Sequence, residues 1–141
     1  MALICDTSGL LALYDCDNRD HQITIDVVQS ESGELFVPVI LLAEIDYLLH
    51  SRLVPNAALD FLSAIHRQEF VIVPFLPEDL VRCMELLSQY RDLSIGLADA
   101  AVVAAAERLG VPRLLSFDYR HFRVIRPRNF PNFILLPADL A

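Results

Sequence analysis

The sequence contains no lysine, and eleven arginines supply its permanent positive charges. This absence excludes a P-loop, whose lysine binds the phosphates, and a Schiff-base enzyme, which needs a lysine amine. Glycine is also scarce, with four residues spread along the chain, so a GxGxxG phosphate-binding loop cannot be formed. Several common ways of binding and transferring phosphate groups are therefore ruled out.

Cysteine is the next scarce residue. The chain has three cysteines and no CxxC pair, which argues against a disulfide framework or a cysteine-rich zinc site and favours a reducing, cytoplasmic location. Residues 1–16 are not expected to act as a signal peptide, because they lack a basic region and Asp6 interrupts their apolar stretch. The longest strongly apolar run, residues 35–43, is too short to span a bilayer. We therefore expect no association with a membrane.

The composition that remains is that of one globular domain. Of the 141 residues, 55% are hydrophobic and 21% are charged, which predicts a single domain over residues 1–141 with a sizeable core. The net charge is −8, but residues 113–128 carry five arginines and one acid. These arginines either follow an RNA backbone or pair with the acidic half of the same molecule or of a second copy. They are Arg113, Arg120, Arg123, Arg126 and Arg128.

Short apolar runs alternate with helical patterns along the chain. We predict strands at residues 2–5, 35–37, 70–73, 113–116 and 133–136. We predict helices after a cap at Thr7 or Ser8, over about 20–31, from Pro38 to about 52, from Pro55, from Pro77, and over about 97–109 with Gly110 after its end. This alternation predicts an α/β fold with a central parallel sheet of about four to five strands flanked by helices.

Two carboxylates stand where predicted strands end. Asp6 follows the strand at 2–5, and Asp118 follows the strand at 113–116. Ligands of parallel sheets bind outside the carboxyl ends of the strands, so both residues are candidates for a functional site. Each also has an ordinary alternative role. Asp6 can serve as a helix N-cap, and Asp118 can open a turn.

Two further carboxylates lie in helices that are otherwise apolar. Glu44 has apolar neighbours one turn away, such as Ile40 and Leu48, so we expect it on a buried face. A buried carboxylate is unfavourable unless a cation or a hydrogen-bond network compensates it, and an ion pair with an arginine is the ordinary alternative. Asp99 lies near the start of the small-residue helix at 97–109. It can approach the strand ends or serve as an N-cap.

Convergence of these four acids would require a cation. Like charges a few Å apart cannot all stay ionised without compensation, and no lysine is present to supply it. Oxygen ligands alone point to Mg²⁺ or Mn²⁺ and not to zinc. A Mg²⁺ ion held by carboxylates commonly serves phosphate chemistry, because it activates water and stabilises charge on phosphodiester oxygens. The pattern therefore favours a metal-dependent enzyme acting on phosphodiester bonds.

Four short motifs occur in an order that resembles the PIN-domain ribonucleases. The motifs are Asp6-Thr7-Ser8 after a strand, Ala43-Glu44 in an apolar helix, Gly96-Leu97-Ala98-Asp99-Ala100, and Ser116-Phe117-Asp118-Tyr119-Arg120-His121-Phe122. Over about residues 2–137 the chain resembles a VapC-type toxin of a bacterial or archaeal toxin–antitoxin pair, and no acid is missing. The resemblance implies a PIN-like domain and Mg²⁺-dependent endonucleolytic cleavage of RNA that leaves 3′-hydroxyl and 5′-phosphate ends.

The resemblance also implies roles for individual residues and partners for the chain. Metal would be held by Asp6, Asp99 and Asp118, with Glu44 binding metal or orienting the attacking water and Ser8 and Ser116 as polar support. The partners implied are an RNA substrate, a second copy in a homodimer, and a cognate antitoxin whose C-terminal segment blocks the site. We favour tRNA or rRNA over mRNA, since residues 44–49 and 90–92 resemble a VapC branch that cuts the sarcin–ricin loop of large ribosomal RNA.

Several residues at the margin of this pattern have two interpretations each. Asp46 and Asp92 either support the metal ligands or lie on the surface. Three arginines either contact RNA or form ion pairs; they are Arg113, Arg120 and Arg123. His121 either contacts RNA or is partly packed in its turn. Two alternatives to a toxin also remain open. One is an inactive PIN-fold interaction module, and the other is a PIN nuclease of RNA processing or DNA repair.

Overall fold

The centre of the fold is a parallel β-sheet. The structure is a computed structural model that describes residues 1–52 and 56–140. Within these residues the sheet has five strands in the order β3-β2-β1-β4-β5, and every pairing is parallel. The strands are β1 (Leu3–Cys5), β2 (Leu35–Pro38), β3 (Val71–Val73), β4 (Arg113–Leu115) and β5 (Ile134–Leu136). The predicted α/β fold with a central parallel sheet is confirmed.

Seven α-helices accompany the sheet in the described part of the chain. They are α1 (Thr7–Tyr14), α2 (His21–Ser30), α3 (Leu42–Ser51), α4 (Ala57–His66), α5 (Pro77–Gln89), α6 (Leu97–Leu109) and α7 (Tyr119–Phe122). Two 3₁₀ segments, Val39–Leu41 and Arg91–Leu93, precede α3 and α6. In the same residues no helix is long and apolar enough to cross a membrane.

The strand order reverses direction at the centre of the sheet. From β1 the chain moves through β2 to the edge strand β3, and it then crosses back to β4 on the other side of β1. Because parallel crossovers are right-handed, this reversal places α1–α4 and α5–α6 on opposite faces of the sheet. The carboxyl ends of β1 and β4 lie side by side at the switch point, which is where ligands of such sheets bind.

Some predicted helix starts need correction. Asp6, and not Thr7 or Ser8, occupies the N-cap position of α1. Pro38 does not open a helix. It ends β2 with an extended backbone (φ −58°, ψ 132°), and a 3₁₀ segment separates it from α3. The predicted start at Pro55 lies outside the described residues. The start of α5 at Pro77 is confirmed.

Helix α1 approaches the sheet closely at Gly9. A Cβ atom at this position would lie 2.2 Å from the carbonyl oxygen of Leu115, the last residue of β4. Only the absence of a side chain lets the helix reach this distance. The contact brings the start of α1, with Thr7 and Ser8, against the end of β4. Glycine at position 9 is therefore a requirement of the site as well as of the core.

We expect Gly9→Ala to destabilise the protein by about 1–3 kcal/mol, because the new methyl group meets backbone that cannot move away. Urea unfolding followed by circular dichroism measures the change. Gly96→Ala is the matched control, since a Cβ at Gly96 would meet nothing within 4 Å and its φ is negative. Equal stability of the two variants would contradict the close packing of α1 on β4.

Candidate active site

Asp6 lies at the centre of the candidate site and is almost fully buried, with 4% of its surface exposed. Its Oδ2 accepts hydrogen bonds from Oγ of Ser116 at 2.8 Å and from Oγ of Ser8 at 3.2 Å. The side chain makes no capping bond to α1, although the residue occupies the N-cap position. The alternative of a simple helix cap therefore does not describe what this carboxylate does.

The two serines link Asp6 to the turn after β4. Ser8 Oγ accepts from the backbone N–H of Phe117 at 2.9 Å, and Ser116 Oγ accepts from the N–H of Asp118 at 3.0 Å. Each hydroxyl can therefore use its one proton to donate to Asp6. This arrangement fixes the carboxylate of Asp6 and the backbone of the turn that carries Asp118. Both serines lie where the sequence predicted polar support.

Burial, the largest cause, acts together with the carboxylates of Asp99 and Asp118 to raise the pKa of Asp6 to about 6. The hydrogen bond from Ser116 acts in the opposite direction but does not cancel burial. The influence of Asp99 and Asp118 shows that the three carboxylates share one electrostatic environment. They come from the end of β1, the first turn of α6 and the residue before α7.

Asp99 has two roles at once. Its Oδ2 accepts from the backbone N–H of Gly96 at 3.3 Å, which is the bond expected of a residue that caps the start of α6. The same carboxylate faces the site, because burial, Asp118 and Glu44 all raise its pKa while His121 lowers it. The capping alternative and the site prediction are therefore compatible. Small buried residues throughout the rest of α6 allow this approach.

Asp118 and His121 form a hydrogen-bonded pair around the short helix α7. Asp118 Oδ1 accepts from the backbone N–H of His121 at 3.2 Å and so caps α7, while its Oδ2 lies 2.8 Å from His121 Nδ1. The same Nδ1 is 3.5 Å from Asp99 Oδ2, and Nε2 is 3.2 Å from the carbonyl oxygen of Leu93. Asp99, Asp118 and His121 each offer a ligand atom within 4.8 Å of the others.

Of the two interpretations of His121, the structure fits partial packing and not an RNA contact. Its side chain is 16% exposed and lies among a carbonyl oxygen and two carboxylates, all of which are hydrogen-bond acceptors. The ring is a donor that holds Asp118 beside Asp99. The spacing of three residues between Asp118 and His121 was the signal in the sequence for this pair, because such residues meet on one helical turn.

Glu44 does not lie on a buried face, so that expectation was wrong. The residue is exposed, and its apolar neighbour Tyr47 is 70% exposed as well. The buried side of α3 is formed by Ile45 and Leu49. No arginine pairs with Glu44 in the part of the chain that the structure describes. Instead Oγ1 of Thr7 donates to Glu44 Oε1 at 2.8 Å.

This bond from Thr7 is a feature that sequence reasoning missed. It joins residues 37 positions apart and depends on the packing of α1 against α3, for which the local pattern holds no signal. The bond turns Glu44 toward the start of α1, beside Asp6. Glu44 also raises the pKa of Asp99, so its charge acts on the site, and we call the four acids the acidic cluster. Among the described residues, the ligand atoms that lie within 4.8 Å of one another are those of Asp99, Asp118 and His121, without Asp6 or Glu44.

The marginal acids lie on the surface. Asp46 is partly exposed and its carboxylate is 3.6 Å from His50 Nε2, one turn along α3. Asp92 is exposed in the 3₁₀ segment Arg91–Leu93, and its side chain makes no hydrogen bond to the rest of the described chain. Neither residue touches the four acids of the cluster.

The arginines considered as RNA contacts separate into two groups. Arg113 begins β4 and pairs with Glu31 at the amino end of the strand, whereas the site lies at the carboxyl ends, so the structure does not bring Arg113 to the cluster. Arg123 is engaged by Asp139 through two hydrogen bonds of 2.8 and 2.7 Å. Arg120 is exposed on α7, with no ion pair to any described residue. Intramolecular pairing therefore accounts for two of these three arginines.

A family model for the PIN domain matches residues 3–126. The chain belongs to the PIN-domain family. Within that family it is 31% identical to ribonuclease VapC26 of Mycobacterium tuberculosis over 135 residues, which cover 96% of this chain and all of the relative. It is therefore a homologue of the VapC group, as the order of its motifs indicated.

Solved structures of VapC toxins and related complexes have the same fold. The M. tuberculosis toxin VapC20, described as cleaving the sarcin–ricin loop, superimposes with a TM-score of 0.75 at 20% identity, covering 82% of this chain and 89% of VapC20. A toxin–antitoxin complex from Klebsiella pneumoniae gives 0.68 at 18% identity, covering 89% and 92%. VapBC2 of Rickettsia felis, bound to promoter DNA, gives 0.68 at 18% identity, covering 96% and 97%.

We expect Asp6→Asn to stabilise the metal-free protein at pH 7 by about 1–3 kcal/mol. The folded-state pKa of Asp6, about 6, lies above the value of about 3.9 in an unfolded chain, so ionisation opposes folding above about pH 4. Asparagine carries no charge and so removes this unfavourable contribution to the free energy of folding. Its amide oxygen can still accept the hydrogen bond from Ser116. Urea unfolding in EDTA at several pH values measures the difference.

The advantage of Asp6→Asn should shrink mainly as the pH falls from about 6 to about 4 and vanish below about pH 3, where the wild-type carboxyl is protonated in both states. Asp46→Asn is the control, since Asp46 is partly exposed and outside the cluster. A metal-free Asp6→Asn protein less stable than wild type at pH 7 would show that the buried carboxylate is well compensated by its serines.

Proposed function

We propose that this protein is a metal-dependent endoribonuclease that acts as the toxin of a toxin–antitoxin pair. The observation that carries the proposal is the convergence of Asp6, Asp99 and Asp118 from three separate segments at the switch point of the sheet, with Glu44 beside them. The 31% identity to a VapC ribonuclease over nearly the whole chain supports the same activity.

The residues present suit a divalent cation. The donors are carboxylate oxygens, which Mg²⁺ and Mn²⁺ prefer. Asp6 is buried with a raised pKa, and Asp99 also has a raised pKa, so the cluster is unfavourable without a positive charge to compensate it. In this proposal Asp6, Asp99 and Asp118 hold the ion, and Glu44 binds it or orients water. Mg²⁺ is the proposed cofactor, with Mn²⁺ as its alternative.

When bound, the cation supplies activated water and stabilises charge on the phosphodiester oxygens. The protein contributes fixed positions. Ser8 and Ser116 hold the carboxylate of Asp6, Thr7 turns Glu44 toward the cluster, and His121 holds Asp118. Hydrolysis by water at the phosphorus would leave 3′-hydroxyl and 5′-phosphate ends, as expected from the resemblance.

The proposed partners are an RNA substrate, an antitoxin and a second copy of the chain. Antitoxin binding is supported by the toxin–antitoxin complexes among the structural relatives. We propose tRNA or rRNA as the substrate. The sarcin–ricin loop is the first site to examine, because VapC20 is described as cleaving it and residues 44–49 and 90–92 resemble that branch. The homodimer remains a proposal from the family resemblance.

We expect Asp6→Asn and Asp99→Asn to lower RNA cleavage about 100-fold or more, because loss of groups that merely support a metal ligand already costs 10–100-fold. Cleavage by purified protein with Mg²⁺ or Mn²⁺ is followed on gels, and Mn²⁺ binding is followed by calorimetry. EDTA should abolish cleavage by the wild type. Asp46→Asn, which makes the same change of charge outside the cluster, should retain activity.

This experiment separates the proposal from its alternatives. Absence of any RNA cleavage with Mn²⁺, together with a full biological effect of Asp6→Asn in cells, would favour an inactive interaction module. Robust cleavage in EDTA by pure protein would remove the metal-dependent mechanism. Sequencing of 5′-phosphate RNA ends from cells expressing wild type or Asp6→Asn would identify the RNA. A neighbouring gene for a small DNA-binding protein would favour a toxin over a repair or processing nuclease.

A further inference from the structure

Within residues 1–52 and 56–140, most arginines are neutralised by a carboxylate, but three are not. The paired arginines each lie within 4.0 Å of an acid, and they are Arg19, Arg52, Arg67, Arg82, Arg108, Arg113, Arg123 and Arg128. Arg91, Arg120 and Arg126 have no such partner among the described residues, and all three are exposed. In a chain with nineteen acids and a net charge of −8, unpaired cations are the exception.

These three arginines belong to two segments that touch each other. Arg91 begins the 3₁₀ segment Arg91–Leu93, whereas Arg120 lies in α7 and Arg126 follows it. Two hydrogen bonds join the segments. The carbonyl oxygen of Leu93 lies 3.2 Å from His121 Nε2, and the backbone N–H of Arg126 donates to Tyr90 Oη at 2.9 Å. We call Arg91, Arg120 and Arg126 the arginine face.

The arginine face borders the acidic cluster. Arg120 follows Asp118 by two residues, and His121 bonds to Asp118 on one side and to Leu93 on the other. The 3₁₀ segment spans only about 4 Å from its first to its last residue, at about 2 Å of rise per residue, so Arg91 stays near this junction. The two segments that carry the three arginines therefore lie beside the acidic cluster.

The other charged groups of these segments leave the face positive. Asp92 is exposed beside Arg91 and subtracts one charge. Arg123 is neutralised by Asp139, and its guanidinium lies 5.8 Å from the centre of the Tyr119 ring. With three unpaired arginines and one acid, the face has a net charge of about +2 before any contribution from His121.

We propose that the arginine face binds the backbone phosphates of the RNA on one side of the bond that is cut; this inference rests on the proposed ribonuclease function. Four carboxylates repel a polyanion at short range, and a basic rim beside them offsets that repulsion within the screening length of about 8 Å. Arginine binds phosphate through two parallel hydrogen bonds. In this proposal an RNA chain with one phosphodiester at the carboxylates runs along this rim, so that its neighbouring phosphates meet the arginines.

Salt dependence of RNA binding tests the proposal. Each phosphate contact to single-stranded RNA contributes about 0.7 to the slope of log K against log salt concentration, which corresponds to about 5-fold in affinity at about 0.1 M salt. We expect Arg91→Gln, Arg120→Gln and Arg126→Gln each to lose about this much, and the triple variant about 100-fold. Binding of a labelled single-stranded RNA of mixed sequence is measured by anisotropy in the Asp99→Asn background, which prevents cleavage.

The chain offers matched controls in both directions. Arg19→Gln and Arg67→Gln remove the same charge from exposed arginines that are paired with Asp20 and Glu69, far from the site in the chain. Each of these control variants should change the slope of log K against log salt concentration by less than a third of the change expected for one variant of the arginine face. Asp92→Asn removes the one negative charge beside the arginine face and should tighten binding.

The outcomes distinguish this inference from the proposed function. If the wild type cuts RNA but the three variants have the slope of the controls, the arginine face is not the RNA contact and the nuclease stands. If the wild type neither cuts nor binds RNA, both fail. Competition with poly-glutamate tests whether the arginine face binds an acidic protein instead of RNA. If poly-glutamate displaces the RNA when both polymers are present at the same concentration of negative charge, the arginine face is reassigned to an acidic polypeptide. If displacement needs about tenfold more poly-glutamate, the result supports RNA as the ligand.

Discussion

The burial of one carboxylate, that of Asp6, is the constraint on which the rest of the site depends. It stands at the end of the central strand β1, next to β4, where the strand order reverses. Water is excluded there, so the charge must be satisfied by the protein or by a cation. The protein supplies two hydroxyl donors, Ser8 and Ser116, and both also accept backbone N–H bonds from the turn after β4. The backbone N–H of Thr7 also lowers the pKa of Asp6, but burial outweighs these donors. Neutral donors orient a carboxylate but leave its charge in place, so the raised pKa of Asp6 follows directly.

The same constraint explains the packing around the site. The serine contacts require α1 to start close to the end of β4, and that approach is open only because residue 9 has no side chain. The helix α6 brings Asp99 in by a similar route, through a run of small buried residues. The fold holds like charges close together, which is unfavourable without compensation, and a cation bound as in the proposed function would offset it. Such an arrangement is a form of the stability–function conflict common in enzymes.

The parts of this arrangement that could be predicted from sequence are those with a local signal. Short apolar strands, the helix start at Pro77 and the acids after β1 and β4 are all local patterns, and they were predicted correctly. The prediction that Glu44 lies on a buried face was wrong because it rested on apolar neighbours, and one of these, Tyr47, is itself exposed. An apolar pattern does not indicate which of its apolar residues other parts of the fold cover. The Thr7–Glu44 bond and the junction of Leu93 with His121 join segments distant in the chain, so no window of sequence contains them. Pro38 failed as a helix start because an extended backbone satisfies its fixed φ equally well.

Surface charge shows the same limit of local reasoning. The sequence gathers five arginines between residues 113 and 128, and this pattern was compatible either with contacts to RNA or with pairing to acids of the same molecule or of a second copy. Three of the five arginines are neutralised by ion pairs in the fold. Arg113 pairs with Glu31 at the amino end of β4, Arg123 pairs with Asp139, and Arg128 pairs with Glu85. Arg91, from outside the cluster, is brought beside α7 by the 3₁₀ segment. The field that an approaching polyanion meets is set by which charges remain unpaired after folding, and a net charge of −8 is therefore compatible with a positive rim at an acidic site.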